Sequence, residues 1–259
     1  MNILDEYVLK SPNKQNVLDI FADEWSSMMP AGSDCTSTPG RVPLFNDPRV
    51  VWALNTLGDI KDKRVLELGP LEAGHSYMLA DLGAKEVTAI EANTRAYLKC
   101  LCIKEIFGLK NVNFHLGDFV KYLEESSEKY DLLVACGVLY HMKDPIHVLD
   151  LISQKTDKVF LWTHYYDADP IKSNEQLSHK FQELETFEYN GFSYEAVEQS
   201  YKDALEWSGF CGGPLPTSRW LSRESLVGYL KHVGFKNLEF NWDEPNHPNG
   251  PAVAICASR

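Results

Sequence analysis

Two acidic side chains stand at the tips of adjacent apolar runs, with a glycine-bearing bend between them. Glu67 lies in Arg64-Val65-Leu66-Glu67-Leu68, and Glu91 closes Glu86-Val87-Thr88-Ala89-Ile90. The bend, Gly69-Pro70-Leu71-Glu72-Ala73-Gly74-His75, leads into a helical pattern. A strand, a tight turn and a helix start in that order bring backbone N–H groups and the positive helix end up to a ligand. Glu91 stands 22 residues beyond Gly69, close to the ~20 at which an acid accepts from ribose hydroxyls. The ligand class this suggests is a nucleoside-containing cofactor. A dinucleotide would require G-x-G-x-x-G at its pyrophosphate, which Gly69-Pro70-Leu71 does not supply.

Further candidates follow the later strands. His141 comes after the fourth apolar run and His164 after the fifth, and an imidazole at either place can take a proton near neutral pH. The competing reading for each is a hydrogen-bonded structural histidine. Tyr140 either orients substrate or belongs to the core. His75, at a helix start, either donates to a cofactor carboxylate or caps the helix. Tyr165, Tyr194, Arg219 and Trp220 come from an aromatic-rich stretch and are the substrate candidates. Arg223, His115 and His147, and the acidic Glu183, Glu185 and Glu188, are read as structural or solvated, the last three as a helix face.

The elements that must position these groups alternate. Strands are predicted at about 64–68, 86–90, 111–116, 131–135 and 158–162. Helices between them start at His75, after Asn93, near Phe119 and at Asp144-Pro145. Strict strand–helix alternation argues for a parallel sheet covered on both faces. Ahead of it, Asn13 to Trp25 reads as a helix, and Asp47-Pro48 as a cap and first residue of another. Phe21, Trp25 and Phe45 belong either to a flap over the site or to ordinary packing. Residues from about Tyr165 to Trp220 are too long for a plain connection and read as a lid or a small helical insertion. Ser222 caps a further helix, and two strands, about 236–242 and 252–257, end the chain around Pro245 to Pro251.

Composition bounds the class. The 259 residues are 44% hydrophobic, ample for one large α/β domain. The net charge of −12 works against a polyanionic partner, which usually meets a basic face. No apolar run is long enough to span a membrane, and Met1 to Glu6 lacks a signal-peptide pattern. Cys35, Cys100, Cys102, Cys136, Cys211 and Cys256 form no CxxC pair, so neither a metal site nor a disulfide framework is expected. A cytoplasmic location fits these features.

On the acidic strand and glycine turn, Glu91, Gly117-Asp118 after the third strand, the apolar fourth strand and the final hairpin, the chain resembles the class I S-adenosylmethionine-dependent methyltransferases. Cys136-Gly137-Val138-Leu139-Tyr140-His141 and Trp220-Leu221-Ser222-Arg223-Glu224-Ser225 are similar to the branch of tRNA wobble-uridine carboxymethyltransferases and related small-molecule methyltransferases. The resemblance implies an α/β, Rossmann-like, seven-stranded, mostly parallel sheet with an antiparallel last strand. It implies a helical cap segment (1–60), a cofactor-binding core (61–164), a substrate lid inserted after strand five (165–221) and completion of the sheet (222–259). S-adenosylmethionine is the implied cofactor. Glu67, Gly69 and Gly74 match the glycine-turn motif at its methionine part, Glu91 the ribose acid, Asp118 and Phe119 the adenine site, and Cys136 and Gly137 the strand-four exit. Leu71 and Ala73 stand where the family usually has its second and third glycines, so Gly74 is expected to substitute by a one-residue shift. The expected reaction is methyl transfer to oxygen or nitrogen of a small-molecule acceptor, without nucleic acid or membrane, and with a homodimer open. The alternatives are a tRNA-modifying enzyme and a non-catalytic cofactor-binding protein.

Overall fold

The computed structural model describes residues 7–207 and 209–259. Met1 to Glu6, on which the reading of the N-terminus rests, lie outside the described residues. The opening segment holds α1 (Lys14–Leu18), a 3-10 turn to Phe21, and two short parallel strands, β1 (Trp25–Ser27) and β2 (Pro39–Val42). The helix expected to Trp25 therefore stops early. Phe21, Trp25 and Phe45 are buried, with the Trp25 indole N–H donating to Leu18 C=O at 2.9 Å. Ordinary packing, rather than a flap, accounts for all three.

From α2 (Pro48–Leu57) onward the alternation is as expected. It runs β3 (Arg64–Leu68), α3 (Gly74–Asp81), β4 (Glu86–Glu91), α4 (Thr94–Phe107), β5 (Val112–Leu116), α5 (Phe119–Glu125), β6 (Leu132–Cys136), α6 (Pro145–Lys155) and β7 (Lys158–His164). Local chemistry sets the helix starts. Asp47, Asn93, Asp118 and Asp144 each accept from a backbone N–H of the following first turn, and Pro48 and Pro145 take the first helical positions.

The insertion follows: α7 (Ala168–Ser173), α8 (Glu175–Ser178), β8 (Phe181–Tyr189), β9 (Phe192–Ser200) and β10 (Thr217–Leu221). It is built mainly on a three-stranded antiparallel sheet in the order β10-β9-β8, which corrects the helical alternative. Asn190 and Gly191 both take positive φ between β8 and β9, the two-residue turn that matches strand twist. Glu183, Glu185 and Glu188 thus lie on an exposed strand, not on a helix face. The chain ends with α9 (Arg223–His232), β11 (Asn237–Glu244) and β12 (Ala252–Ser258).

The main sheet has the order β11-β12-β7-β6-β3-β4-β5, with β12 antiparallel to both neighbours and the other pairs parallel. Alternation along the strands sends Val65, Val87, Phe160 and Cys256 into a core under α2, α3 and α4. It sends Leu66, Ile90, Leu133, Leu161 and Ile255 into a second core under α5, α6 and α9. The sheet order reverses beside β3, so the carboxyl ends of β3 and β6 flank the crevice where open α/β sheets take ligands.

Candidate functional site

At the tip of β3 the chain turns sharply. Gly69 has φ 64°, and a Cβ there would meet Val138 Cγ2 at 3.0 Å. Leu71 (φ 53°) and Ala73 (φ 61°) also adopt the left-handed conformation. Both hold the backbone geometry that glycine supplies without steric cost. Gly74 is no substitute for them. It is the first residue of α3, and a Cβ on it would lie 2.6–2.9 Å from Leu44, including Leu44 C and O. Its smallness serves the close approach of the 44–46 turn, which corrects the expected one-residue shift.

The two acids play different parts. Glu67 is buried, accepts from the Ser76 hydroxyl, and burial raises its pKa. Glu91 Oε2 accepts from Leu71 N–H at 3.1 Å, and Oε1 from Asn93 N–H at 2.8 Å. It therefore ties the turn to β4 while each oxygen keeps capacity for another donor. Burial raises its pKa, against the backbone N–H groups that favour its charge. Asp118 uses one oxygen as the cap of α5, accepting from Val120 N–H at 2.8 Å, and stands exposed beside buried Phe119.

His75 is committed elsewhere than a cofactor carboxylate. Its Nε2 lies 2.8 Å from Asp47 Oδ2, and Asp47 also grips Arg49 through Nε and Nη2 at 2.6–3.0 Å. Burial would raise the Asp47 pKa, but the His75 and Arg49 hydrogen bonds outweigh it and hold the carboxyl well below its usual range. Asp47, His75 and Cys136 bring three potential ligand atoms within 4.8 Å. Arg49 already brings a cation to that place, and burial pushes the Cys136 thiol up to about 12, so it stays protonated. The cluster reads as an ion-pair network rather than a metal centre.

The second half of the site is an aromatic and histidine wall over the ends of β6 and β7. Tyr140 stands by Gly137, where a Cβ would lie 3.8 Å from its hydroxyl. Its ring is 4.1 Å from His141 and 4.6 Å from His164, centroid to centroid. Trp220, from β10, stacks on His164 at 4.9 Å and 7°. Trp162 and His247 lie 5.0 and 5.2 Å from the same imidazole. The Arg49 guanidinium sits 4.6 Å over Trp162. His164 is the last residue of β7 rather than following it. Trp220 Nε1 is buried without a partner among the described residues.

The ring protons can be assigned from their partners. Tyr201 donates its hydroxyl proton to Gly212 C=O at 2.8 Å, so His141 Nδ1, 2.8 Å from that hydroxyl, carries a hydrogen and donates it. His164 Nδ1 donates to Gly250 C=O at 2.8 Å and Pro251 C=O at 3.2 Å. Both imidazoles therefore present a bare Nε2 when neutral. Burial pulls both pKa values down to about 4, with mutual histidine repulsion adding to it, so both are neutral at physiological pH.

Three of the substrate candidates are not brought to this wall. Tyr165 follows His164 on the opposite face, buried in the second core with its hydroxyl 3.2 Å from Asp243 Oδ1. Arg219, beside Trp220 on a strand, lies 4.4 Å over Phe187, and Tyr194 stacks on that same Phe187. Strand alternation separates each from its neighbour at the wall. Arg223 pairs with Asp243 rather than with solvent alone. His147 is held by Tyr189 and Glu124. Asp47, Arg49, Trp162, Tyr201 and His247 join the site unforeseen. Asp47-Pro48 was legible only as a helix start, and the others carry no local motif.

Comparison with known proteins agrees with this geometry. The family described as methyltransferase domain matches residues 59–208, more than half of the chain. A tRNA U34 carboxymethyltransferase of Campylobacter hominis is 27% identical over 157 residues, covering 59% of this chain and 47% of that protein. One of Cellvibrio japonicus is 29% identical over 96 residues, covering 37% and 30%. The chain thus spans about half, or less, of the length of these relatives. The crystal structure of the N-terminal domain of EvdMO1, with SAH and D-fucose, has a TM-score of 0.67 at 18% identity and covers 100% of this chain and 97% of that one. Magnesium protoporphyrin IX methyltransferase of Synechocystis PCC 6803, with bound SAH, has a TM-score of 0.55 at 14% identity, covering 82% and 81%. No helix among the described residues is long and apolar enough to cross a membrane. The chain belongs to the methyltransferase domain family and is an S-adenosylmethionine-dependent methyltransferase with a Rossmann-like core.

Proposed function

We propose that the enzyme methylates a hydroxyl oxygen of a small-molecule acceptor, with the cofactor in the crevice of β3, β4 and β6. The residues there fit the cofactor. Glu91 keeps lone pairs for the ribose hydroxyls beside a turn whose backbone is unobstructed at Gly69. Asp118 keeps a free oxygen for the adenine amino group, with Phe119 beside it. Glu67 and the Cys136-Gly137 exit face the methionine part. When bound, the sulfonium supplies a methyl group already activated for transfer.

The protein's own work is alignment, exclusion of water and removal of one proton. The bare Nε2 of His141, at the strand-four exit beside Tyr140, is the single observation that carries this reading. It accepts the hydrogen bond of an incoming hydroxyl and so aims the oxygen lone pair away from itself. An oxygen gains positive charge as it is methylated, and its proton becomes acid enough for an imidazole with pKa about 4. A neutral amine acceptor would not require such a base. His164 and Trp220 complete a water-poor wall. A small acceptor is in keeping with the EvdMO1 neighbour, which was crystallised with D-fucose.

The names of the sequence relatives favour a second reading, transfer to the wobble uridine of tRNA. The net charge of −12 weighs against it, because phosphate contacts dominate affinity for nucleic acid. The test is incubation of the protein with S-adenosylmethionine and either a metabolite extract or total tRNA, followed by mass spectrometry for an added CH2. Modification confined to a small hydroxylated molecule supports the proposal. Modification confined to tRNA, with steeply salt-dependent binding, overturns it.

A further inference from the structure

We infer that the acceptor is a glycoside, with a neutral sugar ring held at His141 and His164 and the group linked to it lodged between Trp162 and Trp242. This rests on the methyl-transfer reading above and names its substrate class. The polar groups of the wall are neutral and of both kinds. His141 and His164 each offer a lone pair on Nε2, for the reasons given above. His247 offers the opposite. Its Nδ1 accepts from Asn249 N–H at 3.2 Å, so its ring hydrogen stands on Nε2 as a donor. A hydroxyl both donates and accepts, and a ring bearing several hydroxyls satisfies such a set where a carboxylate or phosphate would face two lone pairs. Tyr140, Trp162 and Trp220 supply flat apolar faces for the C–H surfaces of such a ring.

The site does not end there. Trp162 and His247 also line a cleft of about 240 Å³, with Val42, Pro43, Leu44, Pro48 and Trp242 as its other apolar walls and Asp47, Arg49 and Glu244 as its polar ones. Arg49 and Asp47 are already paired, so the cleft asks for no charged group. Trp242 lines it by virtue of an irregularity. The β11 register breaks between Asn241 and Glu244, and Trp242 takes φ 42°. Its N–H is satisfied by Asn241 Oδ1 at 2.8 Å instead of by the ladder. A bulky residue in that conformation on an edge strand is held there at a steric cost, and such bulges re-aim a side chain. Here the re-aimed indole packs edge-on against Trp52, 5.9 Å away, and closes the cleft wall facing Trp162. A free monosaccharide would leave this space to water, whereas a glycoside fills it with the group at its anomeric carbon.

The test uses the whole protein loaded with SAH. Glucose, galactose, fucose and rhamnose and their p-nitrophenyl glycosides are titrated calorimetrically. The expected result is at least one aryl glycoside that binds about tenfold or more tightly than its free sugar. Trp242→Ala should remove that advantage with SAH affinity unchanged. Val42→Trp, made at the exposed rim of the cleft, should do the same without opening the core, and so keeps the test usable where Trp242→Ala folds poorly. An advantage that is absent, or that survives both substitutions, overturns the assignment of the cleft. Failure of every sugar and glycoside to bind overturns the glycoside class. In either case the methyl-transfer reading stands or falls separately, on SAH affinity and on the added CH2 found in the metabolite extract.

Discussion

The depressed histidines make the fold acid-sensitive well above the range in which carboxylates titrate. His164 has its pKa pulled to about 4, chiefly by burial, against about 6.5 in an unfolded chain. Above pH 6.5 it is neutral in both states and contributes no pH dependence. As pH falls through 6.5 the unfolded chain takes up a proton that the folded chain refuses until about pH 4, so stability is lost across that window. Integrated from pH 7.5 to pH 5, one such group costs about 2 kcal/mol. His141 adds a comparable loss, although the two sites repel and the second proton is not independent of the first. Glu67 and Glu91 work in the opposite direction, because burial raises their pKa values and the folded state binds their protons earlier. The clean measurement is therefore a difference. Urea unfolding of the wild type and of His164→Gln is compared at pH 7.5 and pH 5, where the two glutamates contribute equally to both proteins. The glutamine amide can still donate to Gly250 C=O. The wild type should lose about 2 kcal/mol more than the variant on acidification. Equal losses would mean that His164 is hydrated in the folded protein, and the bare Nε2 in a dry wall would be refuted.

Other consequences are open to direct measurement. Glu91→Ala and Asp118→Ala should each weaken SAH binding by about 1–3 kcal/mol through lost hydrogen bonds to a charged acceptor; unchanged calorimetric affinity in both would remove the crevice assignment. Tyr201→Phe leaves the His141 Nδ1–H without its acceptor, so turnover should fall about tenfold or more. SAH affinity and the melting temperature should change little, and equal turnover would show that this tautomer does not matter. Gly74→Ala should destabilise by about 1–3 kcal/mol through overpacking, because the obstacle is Leu44 backbone. Gly117→Ala, where the added methyl meets nothing within 4 Å, is the control in the same thermal melts.

What could be read in advance depended on whether a group's partners were local in sequence. Caps such as Asp47, Asn93 and Asp144 act on the next two or three residues, and each starts the helix expected of it. The strand tips at Glu67 and Glu91 were legible because spacing along a strand–helix–strand unit is set by geometry alone. The hairpin at Asn190-Gly191 was legible too, since that pair between aromatic runs is a turn signal, and reading the segment as helical passed over it. The acceptor wall is another matter. Its rings come from the β6 exit (Tyr140, His141), the β7 end (Trp162, His164), the lid (Tyr201, Trp220) and the β11–β12 turn (His247), and the Arg49 cation above Trp162 comes from the opening segment. No periodicity in one segment reports a meeting of four others.

The turn after β3 shows how a departure from a motif can leave its function in place. The departure lies in side chains, at Leu71 and Ala73, whereas what the crevice requires is a path of backbone. Both residues follow that path, at φ 53° and 61°, and each non-glycine residue held there costs on the order of 1–2 kcal/mol. That cost must be met by contacts that fix the turn. Glu91 accepts the Leu71 N–H, and the Leu71 C=O takes the Cys100 thiol at 3.5 Å. Glu72, buried, binds Lys99 and the backbone N–H groups of Ser26 and Ser27. Ala73 is fully enclosed. The opening segment is thus more than a cap on the sheet edge, because it supplies the backbone donors that keep Glu72 buried and the turn in its strained shape. Replacing the glycines of such a bend is tolerable only where neighbouring elements over-determine it. In this chain β1, α4 and the tip of β4 do so from three sides.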